Sequence, residues 1–252
     1  MNGRQTTISS YDELITWLFA YSFIYAFFHI LPPFLNFEIK NLMMIADVFD
    51  ILTPYAMVFT IYRIYLMLLP HVRIDSSFPV KSVAVIILIF GAVSFVEGHG
   101  MHLSANAIAR HLTPMKDSSL FALDYSFDEI MGHIFWDTGI VMLSLGIILV
   151  GFNIDPKKLS GPKNALIILA SLIYGFTYFV NAVEGQSVFC TLPLAVIIPL
   201  AIWGTAHRKR IRISRNPVLS LFLLSYIAAL VFFLIWGIWQ KGFPEFSALG
   251  WI

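Results

Sequence analysis

Long apolar stretches alternate with short polar breaks along the chain, falling roughly at 14–35, 49–69, 80–103, 127–151, 164–183, 189–206 and 217–240. A helix needs about 20 apolar residues to cross the hydrocarbon of a bilayer, so each stretch predicts one crossing. The breaks carry residues that end helices: Pro32-Pro33, Pro70, Pro114, Asp155-Pro156, Gly161-Pro162 and Asn216-Pro217. No internal repeat or low-complexity linker divides the pattern. It predicts an all-α, polytopic membrane protein, one domain over residues 1–252 built as a bundle of about seven transmembrane helices.

Composition narrows the class further. Of 252 residues, 58% are hydrophobic and 12% charged, against roughly 25% charged in soluble domains. That much apolar surface exceeds what one core can hide and must face lipid, which excludes an ordinary soluble enzyme. The polar start of the chain leads through Asp12 and Glu13 into the first apolar run, with no small-residue cleavage pattern behind it, and predicts a retained helix. A single cysteine, Cys190, excludes an intramolecular disulfide and a Cys-rich metal site, so a metal here would need His and carboxylate ligands. The net charge of +1 leaves no broad basic face for nucleic acid.

The placement of the charges predicts an orientation, because Lys and Arg favour cytoplasmic loops. The N-terminus and the second, fourth and sixth loops hold eleven of them: Arg4, Arg73, Lys81, Lys157, Lys158, Lys163, Arg208, Lys209, Arg210, Arg212 and Arg215. The opposite side holds four, Lys40, Arg110, Lys116 and Lys241, while Arg63 lies within the second span, its long stem expected to reach the headgroups. The N-terminus is therefore expected inside and the C-terminus outside, with the cell membrane as the expected host. The basic run at 207–215 is expected to anchor beside anionic lipid headgroups.

Ionisable groups inside a membrane are costly and usually face a bundle interior or an aqueous cavity. Five of the seven histidines fall at the outer end of the predicted bundle, together with Asp47, Asp50, Glu97, Asp128, Glu129, Asp137, Asn181, Glu184, Trp239 and Gln240. His99, His102 and Asn106 are spaced to share one helix face. Glu97 lies about 200° from His99 at about 100° per residue, so both serve one site only if Gly98 and Gly100 break the helix. Those glycines alternatively admit close helix packing. Glu129, His133 and Asp137 recur every four residues and predict a polar stripe. At 1.5 Å per residue, Asp137 falls about 15 Å below Phe127 and needs a partner, with His133 nearest in sequence. Tyr174, Tyr178 and Asn181 line one face of the fifth helix, the tyrosines also fitting an interfacial aromatic belt.

Histidines and acids from neighbouring helices match the needs of zinc or iron, which bind His nitrogen and carboxylate oxygen and, in catalytic sites, leave a position open for water. The expected ligands are His99, His102 and His133 with Glu129 or Glu184; Glu97 and Asp137 are the expected catalytic acids and bases. Asn106, Tyr178, Asn181, Trp239 and Gln240 are expected around them as substrate-binding or supporting groups. The chemistry that follows is hydrolysis of an ester or amide in a lipid or other amphiphile at the membrane surface. A proton-coupled transporter or sensor using the same groups is the alternative, though the inner halves of the helices offer few polar groups for a through-path. Haem between two histidines is a second alternative.

Seven helices with His and acid residues at one face are similar in architecture to the ceramidase-like and adiponectin-receptor-like membrane metallohydrolases. The histidine pair that family carries on its last helix has no counterpart here, where Trp236, Trp239 and Gln240 stand instead. The similarity covers no continuous motif and transfers no function.

Overall fold

The structure, a computed structural model, describes residues 2–35, 37–40, 43–73, 79–155, 157 and 159–251, without the side chains of 2–10, 40, 79 and 113. Pro156 and Lys158, used above for a turn and for orientation, lie outside the described residues. Among those described, seven helical spans are long and apolar enough to cross a membrane. The chain is a multi-pass integral membrane protein.

Helix α1 (Asn2–Ile30) leads through a short hairpin of β1 (Glu38–Lys40) and β2 (Met43–Met44) into α2 (Ile45–Leu68). Then come α3 (Pro79–Leu112), α4 (Ser119–Tyr125), a π-helical segment (Ser126–Gly132) and α5 (His133–Gly151). The last three form one continuous span, Ser119–Gly151. The chain closes with α6 (Gly161–Glu184), α7 (Val188–Arg208), α8 (Pro217–Gln240) and an irregular segment through Trp251. The predicted spans match in number and place, and the structure lengthens the third and fourth.

The most extensive packing joins α3 to α5. Glycine permits it: a Cβ on Gly98 would lie 2.3 Å from the Trp136 backbone nitrogen, and one on Gly139 would lie 2.5 Å from the nitrogen of Phe95. With no hydrophobic force between helices in lipid, such close backbone approach supplies dispersion contact instead. Gly98 therefore packs helices and does not break one, since α3 runs uninterrupted to Leu112.

The bundle centre is phenolic. Tyr21, Tyr25, Tyr174, Tyr178 and Tyr226 are all fully buried, which places Tyr174 and Tyr178 in the core and not in an interfacial belt. The Ser144 hydroxyl and Tyr174 Oη lie 2.7 Å apart, and the Tyr178 hydroxyl donates to the Thr191 carbonyl at 3.2 Å. At the end of the bundle that holds the start of α1, ion pairs tie spans together: Lys163 to Asp12, and Arg63 to Glu13 at 3.7 Å. The Arg63 guanidinium also lies 5.5 Å from the ring centre of Trp17, so this side chain is held by partners inside the protein.

Candidate functional site: an amphiphilic cavity at one end of the bundle

At the end where α1, α6 and α8 finish, the helices form a half-open cavity of about 850 Å³. Its walls come from the end of α1, the start of α2, α3, the π-helical segment, α5, α6, α8 and the segment after α8. Part of the lining is aromatic, with Phe176, Phe179, Phe232, Trp236, Trp239 and Trp251. Part is polar, with His102, His133, Glu129 and Asn106.

Trp136 organises the histidines. Its ring stacks on His99 with centroids 4.0 Å apart and on His133 at 5.3 Å, while His29 and His102 approach it at 4.8 and 5.5 Å. The imidazoles also meet one another in two pairs, His29 with His99 at 5.4 Å and His102 with His133 at 4.9 Å. Among the described residues no three His, Cys, Asp or Glu side chains converge as a metal ion requires. Neither ring nitrogen of His99 has a hydrogen-bond partner, and this residue does not line the cavity.

His102 takes a different partner from any expected. Its Nδ1 lies 2.6 Å from Asp128 Oδ1, an ion-pair approach at an angle outside hydrogen-bond geometry. His133 Nε2 lies 3.6 Å from Glu129 Oε2, keeping the four-residue relation read from the sequence. A Cβ on Gly185 would collide with the His133 ring at 2.1 Å, so only glycine lets the end of α6 close over this imidazole.

The expected stripe of Glu129, His133 and Asp137 does not continue. Glu129 and His133 stay in contact across the end of the π-helical segment and both line the cavity, whereas Asp137, one turn deeper along α5, lies below it. Asp137 is buried away from the cavity and accepts a hydrogen bond from the Ser187 hydroxyl, which replaces His133 as the partner it needs. Glu97 is exposed on the far side of α3 and does not line the cavity, as the 200° offset about the helix requires once no break intervenes. Tyr178 and Gln240 also lie outside the lining.

Other expected residues do meet. His102, His133, Glu129, Glu184, Asn106, Asn181 and Trp239 all line the one cavity. Asn181 Nδ2 donates to the Tyr25 hydroxyl at 3.1 Å, linking the cavity wall to the phenolic core. Glu184 accepts the backbone N–H groups of Phe246 and Ser247 at 2.8 and 3.3 Å, which folds the segment after α8 over the mouth. Trp236 adds a bond from Nε1 to the Pro244 carbonyl at 3.2 Å, and Trp251 packs on Trp236 with centroids 5.2 Å apart.

Sequence reasoning left out of the site His29, Asp47, Asp50, Arg110, Asp128, Trp136 and Glu245. Arg110 binds Asp47 through two N–H groups at 3.2 and 2.8 Å, joining α3 to α2. The outer-end position of Asp47, Asp50 and Arg110 was the available signal, and the pairing itself leaves no periodic trace. Glu245 lies beyond the membrane-spanning segments, and burial first, then the neighbouring Glu184 carboxylate, pushes its carboxyl up from the ordinary range.

No protein-family model matches the chain, and no solved structure matches it. Over 151 residues it is 29% identical to the "Ceroid-lipofuscinosis neuronal protein 6 homolog" of Canis lupus familiaris. The match takes in 59% of this chain and 46% of that protein, so the chain spans about half the length of the curated relative.

Proposed function

We propose that the protein takes an amphiphilic molecule into this cavity and hydrolyses an ester or amide bond in it, with His102 as the general base. The hydrocarbon chain rests against the aromatic wall of Phe176, Phe179, Phe232 and Trp239, and the polar end meets the histidines and acids. By the distribution of Lys and Arg, the cavity opens on the extracytoplasmic side.

The observation that carries this reading is the 2.6 Å approach of Asp128 to His102, which stands in the wall of a cavity lined by both polar and aromatic side chains. A carboxylate against Nδ1 steadies the charge an imidazole gains on accepting a proton at Nε2. Nε2 takes a proton from water as the water oxygen adds to the carbonyl carbon. The same proton then passes to the departing oxygen or nitrogen as the bond to it breaks. His133 beside Glu129 is a second such pair on the same wall. The reading runs on these pairs and places no step on a metal.

Purified full-length protein in lipid nanodiscs, assayed against fluorogenic acyl esters and amides of graded chain length, tests the assignment. A positioned general base contributes about 10²–10⁴-fold, so His102→Ala should lose turnover on that scale. Asp128→Asn should lower kcat with KM little changed, since the substrate contacts remain. Turnover in His102→Ala equal to the unaltered protein would remove His102 from the chemistry.

A further inference from the structure

The charges around the cavity are unbalanced. Asp47, Asp50, Glu129, Glu184 and Glu245 line it, and Arg110 is the one Lys or Arg among the lining residues. Arg110 is engaged by Asp47 through both of its terminal nitrogens, which leaves His29, His102 and His133 as the basic side chains on the wall for the other four carboxyl groups, with His133 3.6 Å from Glu129. These four come from α2, the π-helical segment, α6 and the segment after α8, so separate parts of the fold bring like charge to one space. Gathering carboxylates at a membrane-embedded site costs free energy unless a counter-charge is supplied. Glu184 recovers part of that cost through two backbone N–H groups, and burial first, then the Glu184 carboxylate, raises the carboxyl of Glu245.

Among the described residues no three acids or histidines stand close enough together to ligate a compact metal ion. Negative charge spread around a wide cavity, with Trp236 and Trp239 beside it, matches a larger and more diffuse cation, because ammonium groups are drawn to indole faces within about 6 Å. Trp239 is 62% exposed, so its ring is open to contact. A separate observation points to a bound molecule here. Trp136 lines the cavity and is only 6% exposed, yet its indole N–H has no hydrogen-bond partner. An unpaired buried donor calls for an oxygen acceptor in the ligand.

We infer that the amphiphile this cavity takes carries a cationic head group, an amine or quaternary ammonium with an oxygen acceptor near it, seated among Asp50, Glu129, Glu184 and Glu245 against the indoles. The inference rests on the amphiphile reading above and adds the charge of the head. An anionic head would meet four carboxyl groups, and an uncharged one would gain nothing from them.

The test is a binding titration, followed by intrinsic tryptophan fluorescence, on full-length protein in nanodiscs of uncharged-headgroup lipid. The probes share one tail: dodecyltrimethylammonium, dodecyl sulfate and dodecanol, each below its micelle concentration. The ammonium probe should bind about tenfold or more tighter than the other two. Asp50→Asn combined with Glu129→Gln should abolish that preference while dodecanol binding stays as it was, and an unchanged thermal melt shows that the variant is folded. Equal affinity for the three probes, or a preference that survives the double substitution, would overturn the cationic head while leaving an amphiphile in the cavity. No saturable binding of any probe would overturn both.

Discussion

Glu184 and Glu245 stand at the same mouth with opposite energetic effects. Glu184 accepts two backbone N–H groups and holds the closing segment down, whereas Glu245 is brought into partial burial beside that carboxylate. A carboxyl whose pKa is raised in the folded state is penalised where it is charged, and the penalty fades as pH falls through the raised value. Glu245→Gln should therefore raise the melting temperature at pH 8 and leave it unchanged below the ordinary carboxyl pKa of about 4.3. A shift of equal size at both pH values would show that the carboxyl charge is not the cause. At this scale the sequence is legible where contacts are local: Glu129 and His133 remain neighbours four residues apart, and the opposition of Glu97 to His99 follows from helix arithmetic. It is illegible where partners are remote in the chain, as with Arg110 and Asp47, 63 residues apart. Trp136 is equally illegible, because an aromatic residue in an apolar span gives no sign that it will pack against four imidazoles.

Between helices, the decisive contact is α3 against α5, and the two glycines of one short motif behave differently in it. A methyl group on Gly98 would be driven into the backbone of Trp136, whereas one on Gly100 would meet nothing within 4 Å. Gly98→Ala should destabilise the protein by about 1–3 kcal/mol, the usual cost of overpacking. Gly100→Ala should leave stability unchanged or raise it by up to about 1 kcal/mol, because alanine is the better helix former and has room there. Denaturant titration in detergent micelles measures both, and equal effects would contradict the close packing at Gly98. The spans themselves were readable because a bilayer imposes a minimum apolar length and prolines mark the gaps. The π-helical segment was not, since Ser126–Gly132 has the composition of an ordinary helix start. From that segment Asp128 meets His102 while its neighbour Glu129 meets His133.

Across the whole molecule, polar groups are divided between two tasks at two ends. One end is fastened by ion pairs such as Lys163 with Asp12, and the other holds a large cavity with an unpaired buried donor on its wall. Gathering at one end was legible because consecutive spans reverse direction and return their polar termini to the same surface. The half-open shape was not, because it depends on Glu184 drawing Phe246 and Ser247 across the mouth from 62 and 63 residues away. Photocrosslinking tests most directly that this cavity houses an amphiphile. Nanodisc-embedded protein would be irradiated with a single-chain amphiphile carrying a diazirine in its tail, and the modified residues mapped by mass spectrometry. Labelling concentrated on Phe176, Phe179, Phe232 and Trp239, and reduced by unlabelled amphiphile, is the predicted result. Labelling confined to outward-facing residues such as Tyr55, Phe59 and Tyr62, and indifferent to competition, would contradict it.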